Sequence, residues 1–197
     1  MPLLPVPPAA PLATPRLLLR PYGPADAPAF FALLDAERPR LQPAFPRRIA
    51  AVQTLTDAQQ TLQGYAASWR QRRLLVWGIW AAQTQQYLGD ISLQPDTPRA
   101  QTAEVGYYLA AAAEGRGYAR EALRHLADYA FQQLGTQKLI LRCRTENARS
   151  QRTAEAAGFQ RLAQQVEPGV WQFEQSRPLE LSEVKSFAER PSGPVPG

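Results

Sequence analysis

The chain has 197 residues, 45% hydrophobic and 20% charged, with 19 prolines, one cysteine and one histidine. That length suits one domain with a real core. A lone Cys143 excludes an intrachain disulfide, and Cys143 with only His125 beside it makes a zinc site of the usual kind implausible. A Ser-His-Asp hydrolase would have to use His125, which helical spacing places on a polar face.

The net charge is +5 and the pI about 9.7. The basic residues are scattered rather than gathered in a stripe, which argues against nucleic acid. Of the 22, only Lys138 and Lys185 are lysine. Arginine suits bidentate binding of phosphate or carboxylate, and a G- and C-rich genome gives the same bias. The longest apolar stretch, 74–82, is too short to span a bilayer. The proline-rich start lacks the positive and helical regions of a signal peptide, so a cytoplasmic protein is expected.

Residues 1–14 read as a flexible Pro-rich tail, 15–178 as one globular domain and 179–197 as a second flexible tail. Within the domain, 17–20 is a first strand. Pro24 and Asp26 open a helix with Ala27, Phe30, Phe31 and Leu34 on one face. Pro39, Pro43 and Pro46 mark a loop. Thr56 with Gln59 reads as a capping box before a second helix whose buried stripe is Ala58, Leu62, Tyr65, Ala66 and Trp69. Strands are predicted at 74–82, 87–93 and 102–109. A long helix over 119–134 has Ala and Leu on its buried face and Gly135 as its stop. Then come a strand at 138–144, a helix at 150–157, and a hairpin of 159–166 with 170–175 turning at Pro168-Gly169. The order gives an α/β fold, a mixed sheet with helices on both faces.

The informative stretch is Glu104-Val-Gly-Tyr-Tyr-Leu109 followed by Glu114-Gly-Arg-Gly-Tyr-Ala119 at the mouth of the long helix. Gly115 and Gly117 permit a loop whose N–H groups point inward, and the helix start adds free N–H groups and positive dipole. This is a cradle for an anion such as a diphosphate. It is not a Walker A loop, because Tyr118 and Ala119 stand where Lys and Ser/Thr are needed. Nor is it a Rossmann fingerprint, because Arg120 replaces the third small residue and Arg142 and Arg144 stand where an acid belongs.

These phrases resemble the GNAT superfamily of N-acyltransferases, in the branch of the ribosomal-protein acetyltransferases RimJ and RimL. Glu114-Gly-Arg-Gly-Tyr-Ala119 resembles the family's Gln/Arg-x-x-Gly-x-Gly/Ala loop, with Glu114 departing at the first position. Asn147-Ala-Arg-Ser150 with Gly158-Phe159 resembles the branch's Asn-x-x-Ser…Gly-Phe signature. Arg16-Leu-Leu-Leu-Arg20, Glu37-Arg-Pro-Arg-Leu41 and Leu88-Gly-Asp-Ile-Ser92 also resemble it, so the likeness covers about 15–178.

The resemblance implies a GNAT-type acyl-CoA N-acyltransferase fold: a central twisted sheet whose fourth and fifth strands, 102–109 and 138–144, splay apart, usually at a bulge. It implies acetyl-CoA as co-substrate, with no metal and an amine acceptor, and it leaves a homodimer open. The pantetheine would lie in the gap against Tyr108 and Leu109. The diphosphate would lie on Gly115, Arg116, Gly117, Tyr118, Ala119 and Arg120, with Asn147 and Ser150 flanking the arm. Glu104 is the first candidate for the base that deprotonates the amine, and Glu167 the second. Many relatives carry an acidic Tyr hydroxyl where this chain has Ala154; Ser150 is the replacement, or else a helix-start residue bonding backbone. Glu114 is expected to face solvent, since a carboxylate in the cradle would repel a diphosphate. Arg38, Arg40, Arg47 and Arg48 hint at an acidic or phosphorylated acceptor. The alternative function is a catalytically inactive binding module of the same fold for nucleic acid or protein.

Overall fold

The computed structural model describes residues 11–96 and 101–178. One eight-stranded sheet contains β1 (Leu12–Ala13), β2 (Leu17–Arg20), β3 (Leu75–Ala81), β4 (Tyr87–Pro95), β5 (Thr102–Leu109), β6 (Lys138–Arg144), β7 (Gln160–Arg161) and β8 (Val170–Ser176). Their order across the sheet is β1-β2-β3-β4-β5-β6-β8-β7. All pairs are antiparallel except β5–β6. That one parallel pair is joined through α5 (Tyr118–Gln133), the crossover a parallel pair requires.

The alternation of strand side chains separates two cores. On one face Leu17, Leu19, Trp77, Ile91 and Val105 pack with Ala122, Leu123, Leu126 and Ala130 of α5. The small residues on α5 let its axis approach the sheet. On the other face Trp80, Tyr87 and Tyr108 pack with α1 (Ala27–Ala36), α3 (Pro46–Ala51) and α4 (Leu55–Arg70).

Several expectations are corrected. Leu12 and Ala13, assigned to the lead-in tail, pair with Leu19 and Leu18 as a short strand; residues 1–10 and 179–197 lie outside the described residues. The expected loop at 39–46 contains α2 (Arg38–Leu41) and leads into α3. Both helices carry proline in their first two positions, where its missing N–H has no intrahelical partner to lose. The capping box before α4 is Thr54 with Asp57, not Thr56 with Gln59: the Asp57 N–H donates to Thr54 Oγ1 at 3.2 Å and the Thr54 N–H to Asp57 Oδ2 at 2.8 Å. The strand expected at 159–166 is only Gln160–Arg161, an edge pairing against β8, and the following residues 163–169 are exposed.

The feature that shapes the site lies between β5 and β6. They pair only from Thr102–Lys138 to Val105–Leu141. Beyond that point β5 stays with β4 as far as Leu109 and β6 stays with β8 as far as Arg144, so the sheet forks. The β3–β4 register slips at Ile79/Trp80, leaving a bulge at Leu88–Gly89 opposite the fork. A bulge bends its strand, here carrying the β4–β5 pair away from β6. Gly89, at φ 151°, lies so close to β5 that a Cβ there would stand 2.1 Å from the Tyr108 carbonyl oxygen.

Candidate active site

A cleft of about 620 Å³ opens at the fork. The tips of β5 and β6, the loop before α5, α6 (Ala148–Ala156) and the α2–α3 segment surround it. Tyr108, Leu109, Gly115, Arg116, Gly117, Tyr118, Ala119, Arg120, Asn147 and Ser150 all line it. Three separate sequence phrases thus meet in one cavity of a size suited to a small-molecule ligand.

At the floor, Gly115 and Gly117 take φ 76° and 77°, and Gly117 is the N-cap of α5. Gly115 has nothing near a built Cβ, so the backbone conformation, not crowding, calls for glycine there. Gly117 supplies no capping side chain, leaving first-turn N–H groups for an anion. Arg16 braces the loop from outside: Nη1 donates to the Arg116 carbonyl at 2.9 Å, while Nε donates to Glu121 at 2.6 Å.

On the α6 side, the Asn147 carboxamide oxygen accepts the Ser150 N–H at 3.0 Å and caps the helix. Its NH₂ end remains to donate to a ligand. Asn147 therefore fills the helix-start role considered for Ser150. The Ser150 hydroxyl instead lies 3.2 Å from Tyr107 Oη, a partnership between β5 and α6 that spacing along the chain could not reveal. Burial raises the Tyr107 pKa, with the Ser150 bond opposing, and burial raises that of half-buried Cys143 as well. Both groups stay protonated near neutrality.

The two candidate bases lie elsewhere. Glu104 sits on the paired half of β5, opposite Ile140, and its carboxylate is bonded to Arg142 across the apex of the fork. Burial raises its pKa against the pull of Arg142. Glu167 is exposed in the final hairpin, bridged to Val170. Neither lines the cleft, and among the described residues Glu114 is the one carboxylate that does. Glu114 does not simply face solvent: Arg40 Nη1 donates to it at 2.7 Å and Arg149 is bonded to its other oxygen. Among the described residues no group of three His, Cys, Asp or Glu could hold a metal ion.

Residues 16–160 match the acetyltransferase (GNAT) domain. The chain belongs to the GNAT acetyltransferase family. It is an acyltransferase by that membership, and the fork with its glycine loop is the GNAT architecture. This GNAT chain is 27% identical over 150 residues to the uncharacterized N-acetyltransferase YoaA of Bacillus subtilis (strain 168), covering 76% of this chain and 82% of the relative. It is 28% identical over 108 residues to the ribosomal-protein-serine acetyltransferase of Escherichia coli (strain K12), covering 55% and 59%. Among solved structures, RimL, the ribosomal L7/L12 alpha-N-protein acetyltransferase in complex with coenzyme A, superposes with a TM-score of 0.73 at 20% identity, covering 88% of this chain and 97% of that one.

The wall opposite α6 in this GNAT domain is held by charges that the sequence could not pair. Arg48 of α3 donates to both oxygens of fully buried Asp90, at 2.7 and 2.9 Å, and Tyr22 donates to Asp90 at 3.2 Å. Burial pushes the Asp90 carboxyl upward against the pull of Arg48, and pushes the neighbouring Tyr108 hydroxyl well above its usual range. The Arg48 guanidinium lies over the Tyr108 and Phe45 rings, at 5.3 and 5.6 Å, so one buried cation backs both cleft-lining aromatics. The arginines expected to meet an acidic partner largely bind within the chain. Arg38 holds Asp35 and the Ile49 and Val52 carbonyls, while Arg40 holds Glu37, Glu114 and the Leu109 carbonyl.

Proposed function

We propose that this enzyme transfers the acetyl group of acetyl-CoA to a primary amine by direct attack in a ternary complex, with a polypeptide α-amine as the favoured acceptor and a small-molecule amine as the other candidate. The carrying observation is the fork, which opens onto a glycine loop and a helix start with uncapped N–H groups. In this reading the diphosphate rests on residues 115–120 and the pantetheine runs between β5 and β6 as an added strand, using backbone near Tyr108 and Leu109. Binding of coenzyme A by RimL supports the co-substrate.

Holding amine and thioester in line supplies up to about 7–11 kcal/mol of the barrier in the best cases. A backbone N–H near Tyr108 or Leu109 would stabilise the oxyanion. The amine then loses its proton and the thiolate leaves. The Ser150 hydroxyl, with Tyr107 behind it, faces the leaving group as the acid.

The acceptor follows from the base. Glu104 and Glu167 stand off the cleft, so either would work through water. Such a site favours an amine that is already partly neutral. An α-amine titrates near 7.7–8.0 and a lysine near 10.4, so at neutral pH the α-amine presents about 300-fold more free base. The test measures thiol release from acetyl-CoA with a peptide bearing a free N-terminal serine, and with an N-acetylated peptide bearing one lysine. Turnover with the first and little with the second is expected. Acetylation of the lysine peptide alone would overturn the acceptor assignment, and failure to bind any acyl-CoA would overturn the reaction.

A further inference from the structure

Glu114 is where the loop departs from the family pattern, and it stands between the cleft's two walls. Arg40 reaches it from α2 and Arg149 from the first turn of α6. Both arginines line the cleft. The carboxylate is mostly shielded, with 21% of its side chain exposed, and Gly115 and Gly117 of the anion cradle follow it directly. Arg40 has a second role: Nη2 donates to the carbonyl of Leu109, on the stretch of β5 that has left β6. Glu37 completes the strap, accepting from Arg40 Nε at 2.5 Å and from the Ala111 N–H at 2.7 Å.

A strap of alternating charge thus crosses the cleft mouth and occupies two features a CoA-like ligand needs: the free backbone edge of β5 and the positive side chains beside the cradle. We propose that Glu114 is an internal counter-ion for Arg40 and Arg149, releasing both to the phosphates of the arriving co-substrate. The inference rests on the co-substrate reading above and assigns two phosphate-binding arginines outside the glycine loop. The physical argument is substitution of one anion by another. A carboxylate beside the cradle repels a diphosphate and keeps two guanidinium groups neutralised. The diphosphate carries more charge and offers the forked acceptors that guanidinium fits best. Ligand binding therefore breaks two ion pairs in the empty protein, weakening affinity below what the same arginines would give unopposed.

The test is calorimetric titration with coenzyme A at low and moderate salt, on wild type, Glu114→Gln, Arg149→Met and the double variant, with thermal unfolding as a check on folding. Glu114→Gln should bind about three- to tenfold tighter, the worth of two partly screened ion pairs. Its affinity should fall more steeply with salt than that of wild type, because the positive charge that Glu114 had offset meets the ligand. The gain should shrink in the double variant, measured against Arg149→Met alone, to the part that Arg40 supplies. Unchanged or weaker binding by Glu114→Gln, or a gain undiminished by loss of Arg149, would overturn the counter-ion role while leaving the co-substrate reading intact. If no form bound coenzyme A, the co-substrate reading would fall and take this inference with it.

Discussion

Gly89 ties the stability of the fold to the shape of the cleft, and Gly89→Ala isolates that link. A Cβ at position 89 would stand 2.1 Å from the Tyr108 carbonyl oxygen and 2.8 Å from Leu109 Cα, both backbone atoms of β5. No side-chain rotation relieves such contacts, so β4 and β5 must part at the lip of the cleft. Overpacking of this kind costs about 1–3 kcal/mol. The φ of 151° adds a backbone penalty of about 1–3 kcal/mol for a residue with a side chain. Together they predict a loss of about 2–6 kcal/mol, read by urea denaturation as a lower midpoint with little change in slope. Coenzyme A affinity should fall with it, because the displaced strand is the one the ligand pairs with in the proposed mode. Gly64→Ala is the control. A Cβ there meets nothing within 4 Å on an exposed helix face, so it should stabilise by about 0.5–1 kcal/mol. A Gly89→Ala protein within 1 kcal/mol of wild type would refute the reasoning.

Three further outcomes follow from the same geometry. Asp90→Asn leaves the Arg48 cation buried without its partner and should destabilise by about 3–5 kcal/mol in denaturant, whereas a loss below 1 kcal/mol would mean that water reaches the pair. Ser150→Ala should lower kcat about tenfold, with a smaller effect on coenzyme A affinity, and Tyr107→Phe should lower kcat less. That is below the roughly 10²–10⁴-fold usual for general acids, since a thiol of pKa near 8.5 leaves readily, and unchanged kcat in both would show that the thiolate leaves unaided. Burial raises the Asp26 pKa, but the Arg20 fork and the Gly23 N–H outweigh it and hold the folded value below the usual one. Stability from this group is therefore present above the unfolded pKa and lost as pH falls through the folded one, from about pH 5 downward. Unfolding curves at pH 6, 4 and 3 should show that loss, and Asp26→Asn should flatten it.

Local chemistry carried much of the reading. Helical spacing located the long helix, and short apolar runs bounded by polar turns located the central strands. The glycines at 115 and 117 marked the loop, since a positive φ leaves that trace. All ten residues expected around the co-substrate line one cleft. Proline misled at 39–46, where it opens helices as readily as it breaks them.

The resemblance of its short motifs to the GNAT family was enough to place the chain among the acyltransferases and to mark the glycine loop, because those features depend on neighbours a few residues apart. Only the tertiary structure decided which charges meet. Asp90 finds Arg48 from 42 residues away, Glu114 finds Arg40 from 74, and Tyr107 finds Ser150 from 43. The stretch around Asp90 shows a carboxylate in an otherwise inward-facing strand, a sign that some cation must be near, but nothing local says which. Charge pairing over such separations depends on how the elements pack together. For that reason the glycine loop could be located from sequence, while the strap across it could not.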